Sequence, residues 1–434
     1  MDICIIGAGH VGLVTAACFA DQGHQVVCVD NDTSKVVSLR KGKAPFYEPE
    51  LEAMVVRNLS KKRLSFSTKI TEGVARSQII FIAVGTPPLA SGEADLTAVE
   101  EVARQIALSM TSYRLVVEKS TVPVETGRWV HKTLKTFVRK SVPFDVASNP
   151  EFLREGSAVH DFFNPDRVVI GVETPRGQKL LEQLYKSFKA PLIVTDIASA
   201  ELIKHASNAF LAMKISFINS ISSVCERVGA DVEKVAQGVG MDHRIGRSFL
   251  NAGIGYGGFC FPKDVDAFIR IAEKIGYDFD LLKAVRRINE EQRRVLVKKV
   301  EKQLWNVKGK RIGILGLAFK PDTDDLRFAP SLDVIAALLK AGAKVTAYDP
   351  CAMKEGRKMV KGIGFAKDPY HLAREADCLV VLTEWKAFRE LNLPRIKKLM
   401  RQPIIVDGRN MYDPKQMKRL GFDYTCMGRG KSFS

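Results

Sequence analysis

The stretch Gly253-Ile254-Gly255-Tyr256-Gly257-Gly258-Phe259-Cys260-Phe261-Pro262-Lys263-Asp264 sets a thiol behind four glycines and just ahead of a proline, a lysine and an aspartate. Glycine backbone can wrap closely around a ligand, and Pro262 marks the start of the next helix. A thiol near a cation and a helix N-terminus is shifted towards thiolate, the form that attacks a carbonyl carbon. Lys263 offers that positive charge, and Asp264 a carboxylate to hold a water or a hydroxyl. An inert buried cysteine is the other reading of the same residues, and the stretch by itself leaves both open.

Two more patterns carry chemistry. Lys204 and Asn208 are four residues apart in a helical segment and so share one face. An ammonium beside an amide donor suits an oxyanion developing on a reacting hydroxyl or carbonyl, although a solvated polar face has the same spacing. Gly7-Ala8-Gly9-His10-Val11-Gly12 follows an apolar strand and opens a helix, and Asp30 closes the next strand. Gly7 permits a tight turn, Gly9 lets backbone approach a pyrophosphate, and Gly12 lets helix pack on strand. A carboxylate at Asp30 accepts hydrogen bonds from ribose hydroxyls and repels a 2′-phosphate, which favours NAD over NADP. A second glycine turn, Gly313-Ile314-Leu315-Gly316, lacks the three-glycine pattern. It is followed by Lys320, Asp322, Asp324, Asp325 and Arg327, and is either a diphosphate receptor or a purely structural duplicate.

The elements that must hold these residues alternate in period. Apolar strands read at Ile3 to Ile6, Gln25 to Val29, Ile79 to Val84, Arg114 to Glu118 and Phe144 to Ala147, with helices between, the first from Val11 to Gln22. Continuous apolar strands alternating with helices predict an α/β fold with a parallel doubly wound sheet to about residue 195. Ala198 to Arg227 predicts one long helix, and helical periodicity runs to about Val307, broken by the glycine-rich loop His243 to Pro262. A second α/β unit follows, with strands at Arg311 to Leu315, Lys344 to Tyr348, Cys378 to Leu382 and Ile404 to Val406 and a helix from Ser331 to Ala341. Gly428 to Ser434 reads as a disordered tail.

Composition bounds the partners. The 434 residues predict two to three domains. The net charge of +17 favours anionic partners without choosing among them, and its basic residues are spread as a solvated surface with little aromatic interleaving. No apolar run reaches the roughly 18 residues that cross a bilayer. The apolar N-terminus carries Asp2 and His10 and lacks a basic leader, so it reads as strand, turn and helix. Cys4, Cys18, Cys28, Cys225, Cys260, Cys351, Cys378 and Cys426 show no paired spacing, which fits a reducing, cytoplasmic setting. The seven histidines show no metal-ligand spacing, so no metal is expected.

Taken together, the cysteine loop, Lys119-Ser120-Thr121-Val122-Pro123, Asn149-Pro150-Glu151-Phe152-Leu153-Arg154-Glu155-Gly156, Glu201-Leu202-Ile203-Lys204-His205-Ala206-Ser207-Asn208 and Phe319-Lys320-Pro321-Asp322-Thr323-Asp324-Asp325-Leu326-Arg327 resemble the UDP-glucose/GDP-mannose dehydrogenase family over nearly the whole chain. Arg154 to Ala158, Asp161-Phe162 and Pro165-Asp166-Arg167 resemble the UDP-glucose branch more than those acting on GDP-mannose or UDP-N-acetylmannosamine. The resemblance implies two Rossmann-like domains joined by a long central helix. These are an NAD-binding domain over 1–195, a helical dimerisation domain with the cysteine loop over 196–307, and a sugar-nucleotide domain over 308–427, with the tail at 428–434.

It implies, too, a four-electron oxidation of a primary alcohol by two NAD molecules in turn, through a thiohemiacetal and a thioester on Cys260. Lys204 and Asn208 would face the oxyanion, Thr121 and Asp264 would hold a water, and Glu151 would assist hydrolysis. Which carboxylate is the base stays open. NAD contacts carried over by position are Val11, Asp30, Lys35, Thr86, Thr121, Glu155, Lys263 and Arg327. Substrate contacts are Glu151, Phe152, Leu153, Arg154, Lys204, Asn208, Phe249, Leu250, Asn251, Ala252, Gly253, Gly257 and Lys320, with Arg244 reaching from the second chain of a homodimer. No nucleic-acid or membrane partner is implied. The competing readings are the same chemistry on GDP-mannose or a UDP-N-acetylhexosamine, a two-electron hydroxyacid dehydrogenase, and a nucleotide-binding protein without catalysis.

Overall fold

Alternation along β1 (Asp2–Ile6) sends Ile3 and Ile5 into one apolar core and Cys4 and Ile6 into another. Burial on both faces is what a central strand of a helix-covered parallel sheet requires. The structure, a computed structural model, describes residues 1–139 and 141–429, and they form two compact units. Unit 1 spans Met1–Ser207 with Asp266–Tyr277, and unit 2 spans Asn208–Val265 with the chain from Asp278 onward.

Unit 1 is built on β1, β2 (Gln25–Val29), β3 (Leu64–Ser67), β4 (Ile79–Ile82), β5 (Arg114–Glu118), β6 (Phe144–Ser148), β7 (Val168–Val172) and β8 (Leu192–Thr195). They lie in the order β3-β2-β1-β4-β5-β6-β7-β8, parallel except where β6 meets β7. The order reverses between β1 and β4, and a ligand crevice forms at the carboxyl ends of such strands. β4 ends two residues sooner than its apolar run suggests.

Unit 2 repeats the plan with β9 (Arg311–Leu315), β10 (Lys344–Tyr348), β11 (Gly364–Phe365), β12 (Cys378–Val381), β13 (Ile404–Asp407) and β14 (Asp423–Cys426), all parallel, in the order β11-β10-β9-β12-β13-β14. Leu296 and Val300 of the helix Asp280–Leu304 pack into its core beside Ile312 and Ile314. The two Rossmann-like sheets expected from the alternating periods are thus present.

The helices that carry chemistry have clear local limits. The helix Ile197–Val228 starts where the Asp196 carboxylate accepts the Ser199 N–H at 2.8 Å. It stops at Gly229, whose φ of +82° lets the Ala230 N–H turn back to the Cys225 carbonyl. The helix Cys260–Lys274 stops similarly at Gly276, with the Tyr277 N–H on the Ala272 carbonyl. The boundary between the units falls inside each of these helices.

Gly428 and Arg429, the first two residues of the expected disordered tail, are held in place. The Gly428 N–H donates to Glu226 at 2.7 Å, and Arg429 lies 3.6 Å from Asp231. These contacts hold both residues where disorder was expected. Residues 430–434 lie outside the described residues.

Candidate active site

In unit 1 the turn after β1 has the shape a dinucleotide needs. Gly7 sits at φ +105°, and a Cβ on Gly12 would lie 1.9 Å from the Gly7 carbonyl oxygen, so helix and turn touch through bare backbone. Gly9 has nothing within 4 Å of a Cβ position, leaving room for phosphates beside the start of the helix His10–Asp21. Asp30 accepts the Ala8 N–H at 2.8 Å, the Asp32 N–H at 3.0 Å and the Lys35 ammonium at 2.9 Å. Two carboxylate oxygens offer about four acceptor sites, so capacity is left for a ribose hydroxyl. Val11 lies half-buried in the first helical turn, and Thr86 donates to the Thr121 carbonyl at 2.8 Å. These residues fit NAD.

The equivalent carboxylate of unit 2 is different. Asp349, just past β10, is fully buried and accepts N–H groups from Leu317, Ala318, Cys351, Ala352 and the Trp385 indole. All of its acceptor capacity goes to its own loops. The second glycine turn therefore offers no ribose hook of the Asp30 kind, in line with the missing third glycine.

Near the ends of β5 and β6, charge is buried. Lys204 Nζ and Glu151 Oε1 are 2.9 Å apart, each side chain only 5% exposed, and Glu151 also accepts the Leu153 N–H at 2.6 Å. Behind them Lys119 donates to Asn149 Oδ1 at 3.0 Å, and the Tyr185 hydroxyl donates to the same oxygen at 2.5 Å. Asn149 in turn donates to the Val169 carbonyl at 2.8 Å. Burial pulls the Lys119 ammonium down to about 8; Glu151 opposes the shift and Lys204 adds to it. The sequence reading gave no role to Lys119. A lysine just past the apolar run Leu115 to Val117 was the available signal.

In unit 2 Cys260 is partly exposed and is itself the first residue of its helix, two positions earlier than Pro262 suggested. Asp264, one turn on, accepts the Asn208 amide at 2.6 Å and lies 2.8 Å from the Lys263 ammonium. Lys263 and Arg327 lie 5.7 and 4.4 Å from the centre of the Phe259 ring, so two cations gather at the residue before the thiol. Arg327 is also clasped by Asp325, and Lys320 lies over Phe319. The glycines of this loop serve the chain itself. A Cβ on Gly257 would meet the Phe328 carbonyl at 2.4 Å, and one on Gly258 the Phe319 ring at 2.7 Å.

The remaining sequence-derived residues are placed as follows. Phe152 stacks under the Arg167 guanidinium at 3.6 Å, and Arg154 forms a bidentate pair with Asp161. Leu153 is half-buried, and Glu155 precedes Gly156 in the same loop. Phe249 holds φ +66°, a left-handed backbone that a phenylalanine adopts only under constraint. Its neighbours Leu250 and Asn251 both accept from Arg247, and Ala252 from Asn410. The Gly253 N–H donates to Asn219, while Arg244 is exposed and clasped by Asp242. Among the described residues no cluster of histidine, cysteine or carboxylate side chains could hold a metal.

Two buried acids make a pH prediction. Burial pushes Glu118 up to about 8, and Glu201, which accepts the Glu125 and Gly127 N–H groups, up to about 7 for the same reason. Each holds its proton more tightly folded than unfolded. Their contribution to stability is therefore complete at pH below the ordinary carboxylate range and drains away as the pH rises to about 8. The Lys119 shift acts only above that window. Thermal melts of Glu118→Gln against wild type will show the variant losing less Tm from about pH 5 to 8; parallel curves would mean Glu118 is already ionised when folded.

A doubly wound sheet with a dinucleotide turn, a ribose carboxylate and a buried acid–ammonium pair defines an NAD-dependent dehydrogenase. Residues 1–189 match the NAD binding domain of the UDP-glucose/GDP-mannose dehydrogenase family, 198–291 its central domain and 313–414 its UDP binding domain. The chain is 48% identical over 428 residues to the UDP-glucose 6-dehydrogenase TuaD of Bacillus subtilis (strain 168), covering 98% of this chain and 93% of that protein. It is 46% identical to a UDP-glucose 6-dehydrogenase of Rhizobium meliloti (strain 1021), across 99% and 100% of the two. A solved UDP-glucose dehydrogenase from Pyrobaculum islandicum superposes with a TM-score of 0.92 at 42% identity, covering 98% of this chain and 96% of that one. The chain belongs to the UDP-glucose/GDP-mannose dehydrogenase family.

Proposed function

We propose that this dehydrogenase oxidises UDP-glucose at C6 to UDP-glucuronate, with Cys260 as a covalent nucleophile. The observation that carries the reading is the thiol at the first residue of its helix, one residue from two cations and one turn from the Asn208–Asp264–Lys263 cluster. Names of relatives at 40–48% identity support the substrate.

Bound NAD supplies the acceptor for each hydride that leaves C6. The C6 hydroxyl first loses its proton to the basic groups of the site and a hydride, giving the aldehyde. The Cys260 sulfur then bonds to C6, the carbonyl π electrons move to oxygen, and the thiol proton neutralises it as a thiohemiacetal. Loss of a second hydride and the hydroxyl proton gives the thioester. Water, deprotonated by Glu151, adds to C6; the C–S bond breaks, returning the thiol and releasing the carboxylate. Lys204 and Asn208, one turn apart on one helix, stabilise the oxygen at each stage where it carries charge. Thr121 and Asp264 position the water. We assign 1–195 to the cofactor, 308–427 to the sugar nucleotide, and 196–307 to the thiol and to self-association.

Purified protein given UDP-glucose will release two NADH per sugar consumed. One NADH per sugar, with an aldehyde or ketone as final product, would overturn the four-electron reading. Strong turnover on GDP-mannose alone would overturn the substrate.

Phe210, Phe217, Val224 and Val228 form an apolar stripe, each about half exposed or more, on the helix Ile197–Val228. Their seven- and four-residue steps suit pairing with a second copy, and we assign a homodimer on this stripe. A solution mass of one chain would remove that assignment. Among the described residues no disulfide joins any cysteine and no helix is long and apolar enough to cross a membrane. These facts support a cytoplasmic setting, which cell fractionation checks.

A further inference from the structure

Between the cofactor turn and the Glu151 loop lies a carboxylate to which neither the family match nor the reaction above gives a role. Glu48 is only 5% exposed. Its Oε1 accepts the Ala158 N–H at 2.8 Å, and its Oε2 the Gly156 N–H at 2.7 Å. The same Oε2 lies 3.1 Å from His10 Nε2, within ion-pair reach though outside hydrogen-bond geometry. His10 stands inside the glycine turn, between Gly9 and Gly12, with its ring 4.8 Å from that of Phe46. Gly156 sits at φ +80° directly after Glu155.

We propose that Glu48 is a positioning residue that ties the dinucleotide-binding turn, through His10, to the 151–156 loop, so that cofactor seating and the placement of Glu151 and Glu155 are set together.

The physical case rests on what each contact fixes. A buried carboxylate is held in place by the partners that offset its desolvation, so the two loop N–H groups and the His10 ring together fix where Glu48 sits. Gly156 is the pivot of the loop, and its N–H bond to Glu48 decides the direction in which Glu155 leaves. The loop's other end is held by Lys204 on Glu151 and by Arg154 on Asp161. Glu48 thus links this loop to the turn beneath the phosphates. More than a hundred residues separate the two segments in sequence, so chain connectivity does not align them.

The effect on turnover rests on the assignment of Glu151 given above; the effect on cofactor binding does not. The test uses the full chain as Glu48→Gln, His10→Phe and the double variant. His10→Phe keeps a ring against Phe46 and leaves the bonds to Gly156 and Ala158 intact. Three quantities are read: the NADH Kd by fluorescence titration without sugar nucleotide, kcat at saturating NAD and UDP-glucose, and Tm. Each single variant is expected to weaken NADH binding about tenfold and lower kcat about ten- to a hundredfold, as a misplacement of up to about an ångström does. Adding His10→Phe to Glu48→Gln is expected to change neither number further, because the link is already cut. If His10→Phe weakens NADH equally in both backgrounds, the imidazole acts on the phosphates directly and the proposal is overturned. A lowered Tm with wild-type Kd and kcat would also overturn it, leaving Glu48 a structural acid. Should Glu48→Gln fail to fold, wild-type Kd and kcat in His10→Phe alone overturn it. Should UDP-glucose prove the wrong substrate, the NADH arm still decides.

Discussion

Replacing Cys260 with alanine will leave a folded protein that binds NADH as wild type does and makes almost no uronate. The side chain is partly exposed and stands at the first residue of its helix, so its loss opens no cavity in either core. Stability should change by less than about 1 kcal/mol. The chemistry changes far more. Without a sulfur on C6 the second hydride has no tetrahedral thiohemiacetal to leave from, and the aldehyde depends on chance hydration. Turnover to the carboxylate should fall about ten-thousand-fold, the usual scale for removing a nucleophile. Wild-type NADH release from UDP-glucose by this variant would end the covalent mechanism, because a two-electron dehydrogenase is indifferent to the thiol.

Lys204→Met carries the second-largest effect, in stability as well as rate. Its ammonium and the Glu151 carboxylate are both almost fully buried and 2.9 Å apart. Cutting one member of such a pair leaves an uncompensated charge and costs about 3 kcal/mol. The cost lies at the low end because Lys119 also faces Glu151 electrostatically. The rate should fall about a thousandfold with the loss of a donor to the developing oxyanion. The double variant Lys204→Met, Glu151→Gln separates these effects. Its Tm should recover towards wild type while its kcat stays low. Recovery of both would show that the pair serves the fold alone.

Local patterns exposed much of this molecule to a reading of sequence. Ile3 to Ile6, the glycine turn and Asp30 lie within thirty residues, and each obeys a rule of short range, whether strand alternation, tight turning or the end of the second strand. Lys204 and Asn208 were equally legible as a pair, because four residues make one turn. What escaped was contact at long sequence separation. The bond from Lys119 to Asn149 spans thirty residues, and that from Gly156 to Glu48 spans more than a hundred. No periodicity encodes either. The cysteine-loop glycines were legible as glycines but not in their reason. They looked like room for a ligand, and Gly257 and Gly258 turn out to clear the Phe328 carbonyl and the Phe319 ring. Gly428 and Arg429 misled through composition, since a Gly/Ser/Lys-rich end says nothing of Glu226 and Asp231 waiting for it.

Asp349 bears on how readily the second sheet could be re-engineered. Five donors converge on its two oxygens, and they come from three separate loops. Grafting the missing glycine into the 313–316 turn would thus not create a second NAD socket of the Asp30 kind. Any newcomer's sugar would have to outbid an indole and four amides already locked in place, at the expense of the scaffold they brace. A protein engineer seeking a second coenzyme there would do better to start from another fold than to repair this one.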